Sequence, residues 1–359
     1  MAIAMTFSSP VQHALDHVCE THYTLQSDGS KLPQTSAPEI IATMLDLLQV
    51  APGQRVLEIG TGSGYSTALL SHLVGDTGHV TSIDIDADLI HRAEQRLRAD
   101  GYTNVTLHPG DGATSAVDRP LDRIIAWASL EHIPDAWARQ AVPGAIMVTP
   151  VFVTELAKTF LVVRVHRGEH DRALTADRFL QAGFVEASSY VLDQWIVPPR
   201  RVDALTHRAD GRPWWLSAPW LRSGGGDNGR ELLHQLQTVG RQATGPLGDQ
   251  DDAADFYAYL LATRPDGLTT AALGEPLWRI GASTPAGIAL ITPRQAHHQL
   301  AAGDHSATEL LTTWARQWRD QGKPGLDRMR AVLRHGRDGW TVRPALTMDR
   351  PACRSRPTG

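Results

Sequence analysis

The sequence predicts an α/β fold in which a Rossmann-like, doubly wound parallel sheet over residues 1–190 is followed by an additional α+β C-terminal domain over 191–359. The first half alternates apolar strand-like runs with helix-like runs, which is typical of such a sheet. An apolar run at 56–59 leads straight into three alternating glycines and a helix-competent segment, as in a ligand-binding turn between strand and helix. At 359 residues, the chain is also longer than one hydrophobic core usually supports, which predicts two domains.

Hydrophobic periodicity assigns the elements of the first half in chain order. Helices are predicted over 39–49, 64–74 and 87–100. Strands are predicted over 55–59, 79–83, 104–108, 122–127, 144–149 and 159–165, with a closing strand at 183–187. Ligands of open α/β sheets bind outside the carboxyl ends of the strands, so the site is expected where the first three strands end.

The second half differs in its local patterns. A boundary is expected in WIVPPRR at 195–201 and a flexible loop in SGGGDNG at 223–229, because both segments contain turn-forming residues. The predicted elements of this half are helices over 230–243, 251–263, 306–321 and 326–335 and a hairpin over 277–292.

Tryptophan is concentrated in the second half, which holds eight of the ten. Most of them are expected in the core, because large aromatic side chains dominate burial. Trp214, Trp215 and Trp220, crowded beside Gly211 and Pro213, are the candidates for a wall that binds a peptide, with core packing as the alternative.

Composition argues against several classes of protein. No apolar run approaches the ~18 residues of a membrane span, and the N-terminus lacks the basic and apolar segments of a secretory signal. Cys19 and Cys353 are too few and too far apart for a disulfide framework or a zinc site, which predicts a reducing cytoplasm and no metal. Residues 1–189 carry a net charge of −9 and residues 190–359 one of +4, a basic excess too small and scattered to predict nucleic-acid binding.

The glycine-rich segment predicts a nucleoside cofactor. Gly60, Gly62 and Gly64 allow a sharp turn and close approach of a ligand to the backbone. Asp84 ends the next strand 24 residues after Gly60, where a carboxylate can accept both ribose hydroxyls. Tyr65 occupies the position where the dinucleotide pattern GxGxxG has its last glycine, which favours S-adenosylmethionine over NAD or FAD. The alternative is a tight turn without a ligand.

Further segments accompany the glycine-rich one, namely TSAPEIIATMLDLL at 35–48, GDG at 110–112, DRII at 122–125 and QAVPGAIMVTPV at 140–151. Together with VLEIGTGSGYSTALLSHLVGDTGHVTSID at 56–84, they resemble the protein-L-isoaspartate O-methyltransferase family over about residues 8–190. The resemblance implies the class I S-adenosylmethionine-dependent methyltransferase fold, methyl transfer to a side-chain carboxylate of a peptide or protein, and S-adenosylhomocysteine as the product. The residues expected to bind the cofactor are Glu58, Gly60, Thr61, Gly62, Ser63, Gly64, Asp84, Ile85, Asp111, Gly112 and Trp127.

Ser36 has two interpretations. By the resemblance, it corresponds to the family's active-site hydroxyl, which binds the substrate carboxylate, and Thr35 beside it is a second candidate donor. From the residues alone, SAPE is also a capping box, with Ser36 at the N-cap, Glu39 at N3 and Pro38 in the first turn. The two roles are compatible if the hydroxyl is shared.

The chain departs from the family pattern at positions that concern the substrate. Glu39 replaces a histidine, Glu186 lies in FVEA where the family commonly has FVPL, and Trp127 replaces a small residue and is placed to stack on adenine or narrow the channel. His132 is expected beside the crevice, where it contacts substrate or serves in packing. We therefore expect the substrate-binding set to include His132, Glu186 and the tryptophans at 214, 215 and 220.

These observations leave several functions open. The favoured one is biosynthetic, namely methylation of an aspartate in a ribosomally synthesised lasso peptide, lanthipeptide or graspetide, whose ester cyclises to an aspartimide. The long extension resembles that of family members that modify such peptides. The alternative is repair, in which an L-isoaspartate of a damaged protein is methylated. An inactive cofactor-binding scaffold is less favoured, and so is nucleic-acid amine methylation, because no [DN]PP[FY] motif occurs.

Overall fold

The computed structural model describes residues 7–33, 35–114, 119–170, 172–188, 191, 197–224, 226–274, 277–293 and 295–347. Trp195, Cys353 and the start of the predicted boundary at 195–201 lie outside the described residues. Within the described ranges, no helix has both the length and the apolar character needed to cross a membrane.

The first half begins with helices and then alternates strands with helices. Its helices are α1 (Ser9–His17), α2 (Glu20–Thr24), α3 (Pro38–Leu48), α4 (Tyr65–Val74), α5 (Ala87–Ala99) and α6 (Asp135–Gln140). Its strands are β1 (Arg55–Ile59), β2 (His79–Asp84), β3 (Val105–Pro109), β4 (Leu121–Ala126), β5 (Ala128–Ser129), β6 (Ala141–Phe152), β7 (Phe160–Arg167), β8 (Leu174–Leu180) and β9 (Val185–Glu186). The sequence does not predict α1, α2, α6, β5 or β8.

The strands of this half form a seven-stranded sheet in the order β3-β2-β1-β4-β6-β7-β8. β3, β2, β1, β4 and β6 pair in parallel, whereas β7 and β8 are antiparallel to their neighbours. The strand order reverses between β1 and β4, and such a switch point opens a crevice beyond the carboxyl ends of the strands. The predicted α/β class with a Rossmann-like sheet is confirmed.

The second half is built around an antiparallel sheet. Its helices are α7 (Gly226–Thr238), α8 (Ala253–Thr263) and α9 (Ser306–Asp320). Its strands are β10 (Ala204–His207), β11 (Pro213–Ser217), β12 (Arg241–Thr244), β13 (Leu268–Leu273), β14 (Trp278–Ser283), β15 (Gly287–Thr292), β16 (Gln295–Gly303), β17 (Met329–His335) and β18 (Trp340–Leu346). The sheet has the order β10-β11-β13-β14-β15-β16-β12, while β17 and β18 pair separately. The predicted hairpin over 277–292 is confirmed by β14 and β15.

The predicted helix over 326–335 is wrong. A 3₁₀ turn at Leu326–Arg328 leads into β17, which pairs residue by residue with β18. Apolar residues three or four apart in so short a run fit a helix and a strand about equally well. The hairpin turn, in which the Gly336 N–H donates to the Gly339 carbonyl at 2.8 Å, decides for the strand.

The flexible loop predicted over 223–229 is also wrong in its second part. Residues 226–229 already form the first turn of α7, and the predicted helix over 230–243 ends at Thr238. Gly229 is buried, and a Cβ there would lie 2.6 Å from the Ala204 Cβ. This glycine therefore permits close packing of α7 on β10 rather than flexibility.

The predicted closing strand over 183–187 does not close the main sheet. Only Val185–Glu186 is a strand, and it pairs with Ala128–Ser129 in a separate two-stranded sheet. The edge of the main sheet is β8, whose largely exposed and polar residues lack the alternation by which strands are recognised.

The two halves share one hydrophobic core. On one face of the first sheet, α1, α3, α4 and α5 contribute to a cluster of their own. On the other face, Leu57, Met147 and Val163 belong to the same buried cluster as Phe256 of α8 and Trp318 of α9. The backbones of Ile133 and Trp340 also exchange two hydrogen bonds of 2.9 Å across this boundary. The domain boundary at 190/191 thus remains a prediction, and the second half covers a face that would otherwise expose apolar side chains.

Candidate active site

A single cleft gathers most of the residues singled out by sequence. It opens where β1, β2, β3 and β4 end, and the segment before α3 forms the facing wall; we call it the sheet-end cleft. The predicted site residues on its wall are Thr35, Ser36, Gly60, Thr61, Gly62, Ser63, Asp84, Ile85, Asp111, Gly112, Trp127 and Glu186. Sequence analysis did not single out Pro33, Ile41, Ser66, Asp86, Leu89, Leu130 and Val185, which also line it.

The glycine loop turns at the end of β1 and presents its backbone to the cleft. Gly60 has a φ of 92°, and a Cβ there would lie 3.3 Å from the Trp127 Cβ. Gly62 has a φ of 51° and open space where a Cβ would lie, so a ligand can approach its backbone. Gly64 is the N-cap residue of α4 and packs against Ala93 rather than lining the cleft.

Asp84 holds this loop in place. One carboxylate oxygen accepts the Gly62 N–H at 2.9 Å, and the other accepts the Asp86 N–H at 3.0 Å. Burial raises the pKa of Asp84, while these backbone hydrogen bonds oppose the rise. Each oxygen can accept a further hydrogen bond. The carboxylate is therefore both the anchor of the loop and a remaining acceptor on the cleft wall.

Glu58 lies beneath the cleft instead of on its wall, which differs from the expectation that it binds the cofactor. Its carboxylate is fully buried. It accepts hydrogen bonds from the Ser66 and Thr67 hydroxyls at 2.5 Å, the Ser82 hydroxyl at 2.7 Å and the Trp127 indole N–H at 2.9 Å. Burial raises the pKa of Glu58, and the four donors oppose that rise. Glu58 thus fixes the side chains around the cleft.

Trp127 lies on the cleft wall with its indole nitrogen committed. The side chain is buried, and its N–H bond to Glu58 fixes the ring orientation. Its ring centroid lies 6.5 Å from that of Phe184 on the other side. What Trp127 offers a ligand is consequently ring surface rather than a hydrogen bond, which agrees with the expected stacking.

The capping-box interpretation of Ser36 is wrong. Helix α3 begins at Pro38, so Ala37 is the N-cap residue and no side chain caps the helix. The residue before a proline is restricted to extended backbone, which is the conformation an N-cap requires, and Ala37 has φ −64° and ψ 138°. Ser36 is therefore displaced from the helix terminus onto the cleft wall.

Thr35 and Ser36 differ in what their hydroxyls can do. The Thr35 hydroxyl donates to the Leu32 carbonyl at 2.8 Å, so its proton is already used. Ser36 is half-buried on the same wall. Of the two predicted donors, Ser36 is the one that keeps a proton for a ligand. Glu39, which replaces a histidine of the family pattern, is exposed and does not line the cleft.

The floor of the cleft after β3 is held by close packing. A Cβ on Gly112 would lie 2.5 Å from the Ile59 Cγ1, so only glycine fits. The Gly112 carbonyl accepts the Trp137 indole N–H at 3.0 Å, and Asp111 accepts the Ala113 N–H at 2.9 Å. The Asp-Gly pair thus shapes this part of the wall.

Glu186 lies at the rim with its charge compensated. One carboxylate oxygen lies 3.2 Å from the Lys158 Nζ, and the other accepts the Arg200 N–H at 3.0 Å. The Arg200 guanidinium also donates to the Ala187 carbonyl at 2.7 Å. The rim is consequently bonded to the first described residues of the second half.

The other predicted substrate residues lie elsewhere. His132 does not line the cleft; it packs against the β17–β18 turn, where a Cβ on Gly339 would lie 2.8 Å from its ring. Trp215 is buried on one face of its sheet, whereas Trp214 and Trp220 pack on a cluster of the other face. Adjacent residues of a strand point to opposite faces, so Trp214, Trp215 and Trp220 do not form one wall.

Comparison with known proteins identifies relatives of the first half. The family model described as protein-L-isoaspartate(D-aspartate) O-methyltransferase matches residues 13–189. Protein-L-isoaspartate O-methyltransferase from Yersinia pestis is 42% identical over 147 residues, which cover 40% of this chain and 68% of that protein. Protein-L-isoaspartate O-methyltransferase 2 from a Polaromonas species is 38% identical over 151 residues, which cover 42% of this chain and 69% of that protein.

Other similarities are shorter or weaker. The protein of the same name from Ignicoccus hospitalis is 44% identical over 117 residues, which are 32% of this chain and 56% of that protein. The alignments with it and with the Methanosarcina mazei protein span only about half of those relatives, 56% and 48% of their lengths. A solved structure titled protein-L-isoaspartate O-methyltransferase is 18% identical, with a TM-score of 0.49 over 95% of this chain and 96% of that one.

Proposed function

The chain belongs to the protein-L-isoaspartate(D-aspartate) O-methyltransferase family, and from this premise we propose that it is an S-adenosylmethionine-dependent carboxyl O-methyltransferase. Its proposed substrate is a protein or peptide that carries an L-isoaspartyl residue. The observation that carries the proposal is that Ser36 lies on the wall of the same cleft as the glycine loop and Asp84. A hydroxyl donor, an open backbone turn and an acceptor therefore meet in one place.

The cleft residues fit S-adenosylmethionine. Asp84 retains acceptor capacity for ribose hydroxyls, Gly62 leaves its backbone open, and Trp127 offers ring surface to adenine. When bound, this cofactor supplies a methyl group activated by a sulfonium. The described wall contains neither lysine nor arginine, so no basic side chain there repels the positively charged sulfonium.

The proposed role of Ser36 is to orient the substrate carboxylate. An aspartyl carboxylate is ionised at neutral pH and is itself the nucleophile, so the chain need not supply a base. The hydroxyl would donate one hydrogen bond and fix the direction of attack. Ile41 and Leu130, both buried on the wall, exclude water from the carboxylate and so keep it reactive.

Methylation of an aspartate in a dedicated ribosomal peptide is the second candidate. The sequence supports it through the tryptophan-rich second half, which was expected to bind one particular peptide. Trp214, Trp215 and Trp220 pack into two clusters of that half, which weakens this support. What still favours the candidate is that the rim of the cleft is bonded to Arg200, at the start of the extension.

A methyl-transfer assay on paired peptides tests the proposal. Two peptides of one sequence, with L-isoaspartate or L-aspartate at one position, are incubated with the full chain and S-adenosylmethionine, and the products are located by mass spectrometry. We expect methyl ester on the isoaspartyl peptide only. Esterification of the aspartyl peptide alone, followed by net loss of one water, would contradict the proposal and support the second candidate.

Ser36→Ala adds the test of the site. It should lower kcat roughly 10- to 1000-fold, the value of one oriented donor, while thermal stability stays unchanged because Ser36 caps no helix. Ser8→Ala, which removes an exposed hydroxyl that makes no capping bond, is the matched control and should behave as the wild type. Equal kcat for both variants would show that Ser36 does not bind the substrate.

A further inference from the structure

Three histidines meet on the outer surface of the helical layer. His13 and His17 are exposed on α1, and His72 is half-buried on α4. One ring nitrogen of each lies within 4.8 Å of those of the other two. We propose that His13, His17 and His72 bind one divalent ion of the zinc class through three imidazole nitrogens, with solvent completing the coordination. This proposal is independent of the proposed enzymatic function, and it departs from the sequence-based expectation of no metal.

The spacing of the cluster suits a common ion. His13 and His17 are four residues apart in a helix and so share one face, and packing of α1 on α4 adds the third ring. The His13 Nδ1 lies 2.8 Å from the His72 Nε2. Three nitrogens bound tetrahedrally at zinc's usual 2.0–2.1 Å would be about 3.4 Å apart. The required value lies between the 2.8 Å of this pair and the 4.8 Å within which all three nitrogens lie, so the three rings are close enough to share one ion.

The hydrogen bond of His17 to the backbone leaves its Nε2 available to a metal. Its Nδ1 lies 2.7 Å from the His13 carbonyl oxygen, which can only accept, so Nδ1 carries the proton. The lone pair therefore lies on Nε2. Hydrogen bonding of one ring nitrogen to a backbone carbonyl is the usual support of a metal-binding histidine.

The chemistry of the cluster selects the class of ion. Three neutral imidazoles suit zinc, nickel or copper and are poor ligands for magnesium or calcium, which prefer oxygen. Binding of the ion requires the proton between the His13 Nδ1 and the His72 Nε2 to move to the other nitrogen of the ring that carries it, so that both imidazoles stay neutral.

Binding would fasten α1 to α4 at a distance from the cleft. None of the three histidines lines the sheet-end cleft. His72 is seven residues beyond Tyr65, where α4 begins, and so about 10 Å along the helix from the glycine loop. The expected effect is therefore on stability, with methyl transfer little changed.

The test uses the full chain without a polyhistidine tag. Zinc is titrated against a chromophoric chelator, and cobalt is added in parallel because its visible spectrum reports coordination. We expect one ion per chain, a tetrahedral cobalt spectrum and a raised melting temperature. His13→Ala and His72→Ala should each weaken zinc binding at least about tenfold. His91→Ala removes an exposed histidine of α5 outside the cluster and is the matched control.

Two results would overturn the proposal. Wild-type protein that binds no stoichiometric zinc would show that the rings form a hydrogen-bonded cluster only. Zinc binding equally tight in the wild type, His13→Ala and His72→Ala would place the ion elsewhere. Because His13 is exposed on the outer face of α1, its replacement leaves the fold intact, and the melting temperature without metal checks this.

Discussion

Replacing Asp84 separates its two roles, the anchor of the glycine loop and the proposed acceptor for ribose. The Asp84→Ala variant loses both backbone hydrogen bonds, from Gly62 and from Asp86, whether or not a ligand is present. It also loses the acceptors that a ribose would use. The first loss appears as reduced stability of the free protein, and the second as reduced affinity for S-adenosylhomocysteine.

The expected losses of stability and of affinity follow from the hydrogen bonds that the Asp84 carboxylate accepts. Hydrogen bonds to a charged group contribute about 1.5–3 kcal/mol each, and two of them predict a loss of about 3 kcal/mol or more in the free energy of unfolding. Burial raises the pKa of Asp84, so the two hydrogen bonds do not fully compensate for the burial of its charge. We therefore adopt the lower end of the range for the loss in the free energy of unfolding. Loss of ribose binding should cost a further ~2–3 kcal/mol of affinity, about 30- to 150-fold in Kd.

Calorimetry with S-adenosylhomocysteine measures the loss of affinity, and thermal unfolding of the free protein measures the loss of stability. Asp252→Ala is the matched control, because the Asp252 carboxylate accepts the backbone N–H groups of Ala254 and Asp255 at the start of α8, outside the cleft. The control should lose about 1 kcal/mol of stability and no affinity. If Asp84→Ala loses stability but keeps wild-type affinity, Asp84 is only a loop anchor and the proposed cofactor position is refuted.

Three further outcomes are expected. Because burial raises the pKa of Glu58 above its ordinary value of 4.5, its ionised form opposes folding, so the wild type should lose stability relative to Glu58→Gln as the pH rises above 4.5; a constant difference in urea midpoints would contradict this. Glu58→Ala removes the shared acceptor of four buried donors and should cost about 3–5 kcal/mol, measured by the same denaturation. Deleting residues 200–359 should abolish cooperative thermal unfolding, because it uncovers the shared core; a truncated chain that melts cooperatively and binds cofactor would show that the halves are independent.

The glycine loop and its acid were predictable because their signals are local. A turn with positive φ at Gly60 and Gly62 favours glycine whatever surrounds it, and Asp84 ends β2, which the sequence predicts over 79–83. The parallel sheet follows from the same alternation of strands and helices. Such features depend on a few neighbouring residues, so one sequence is enough to place them.

The parts that sequence missed depend on distant partners. The position of Glu58 beneath the cleft depends on Trp127, 69 residues away, which donates a hydrogen bond to it. The third histidine of the proposed metal site is 55 residues from the second, and only packing of α1 on α4 brings it near. Tertiary contacts of this kind leave no periodic signal.

We expect the second half to influence substrate choice at the rim of the cleft rather than through its tryptophans. Its first described residues are bonded to that rim, where Arg200 binds Glu186 and Ala187 and the Arg201 side chain binds Glu131 and the Thr154 carbonyl. The Arg200 guanidinium remains nearly half exposed, at 46%, and lies 3.8 Å from Glu131. We therefore expect this exposed cation beside the proposed entrance to favour peptides that carry acidic residues next to the one to be methylated. Because the same half also covers the core, its contributions to stability and to selectivity can be separated by substitutions at Arg200 and not by removing the half.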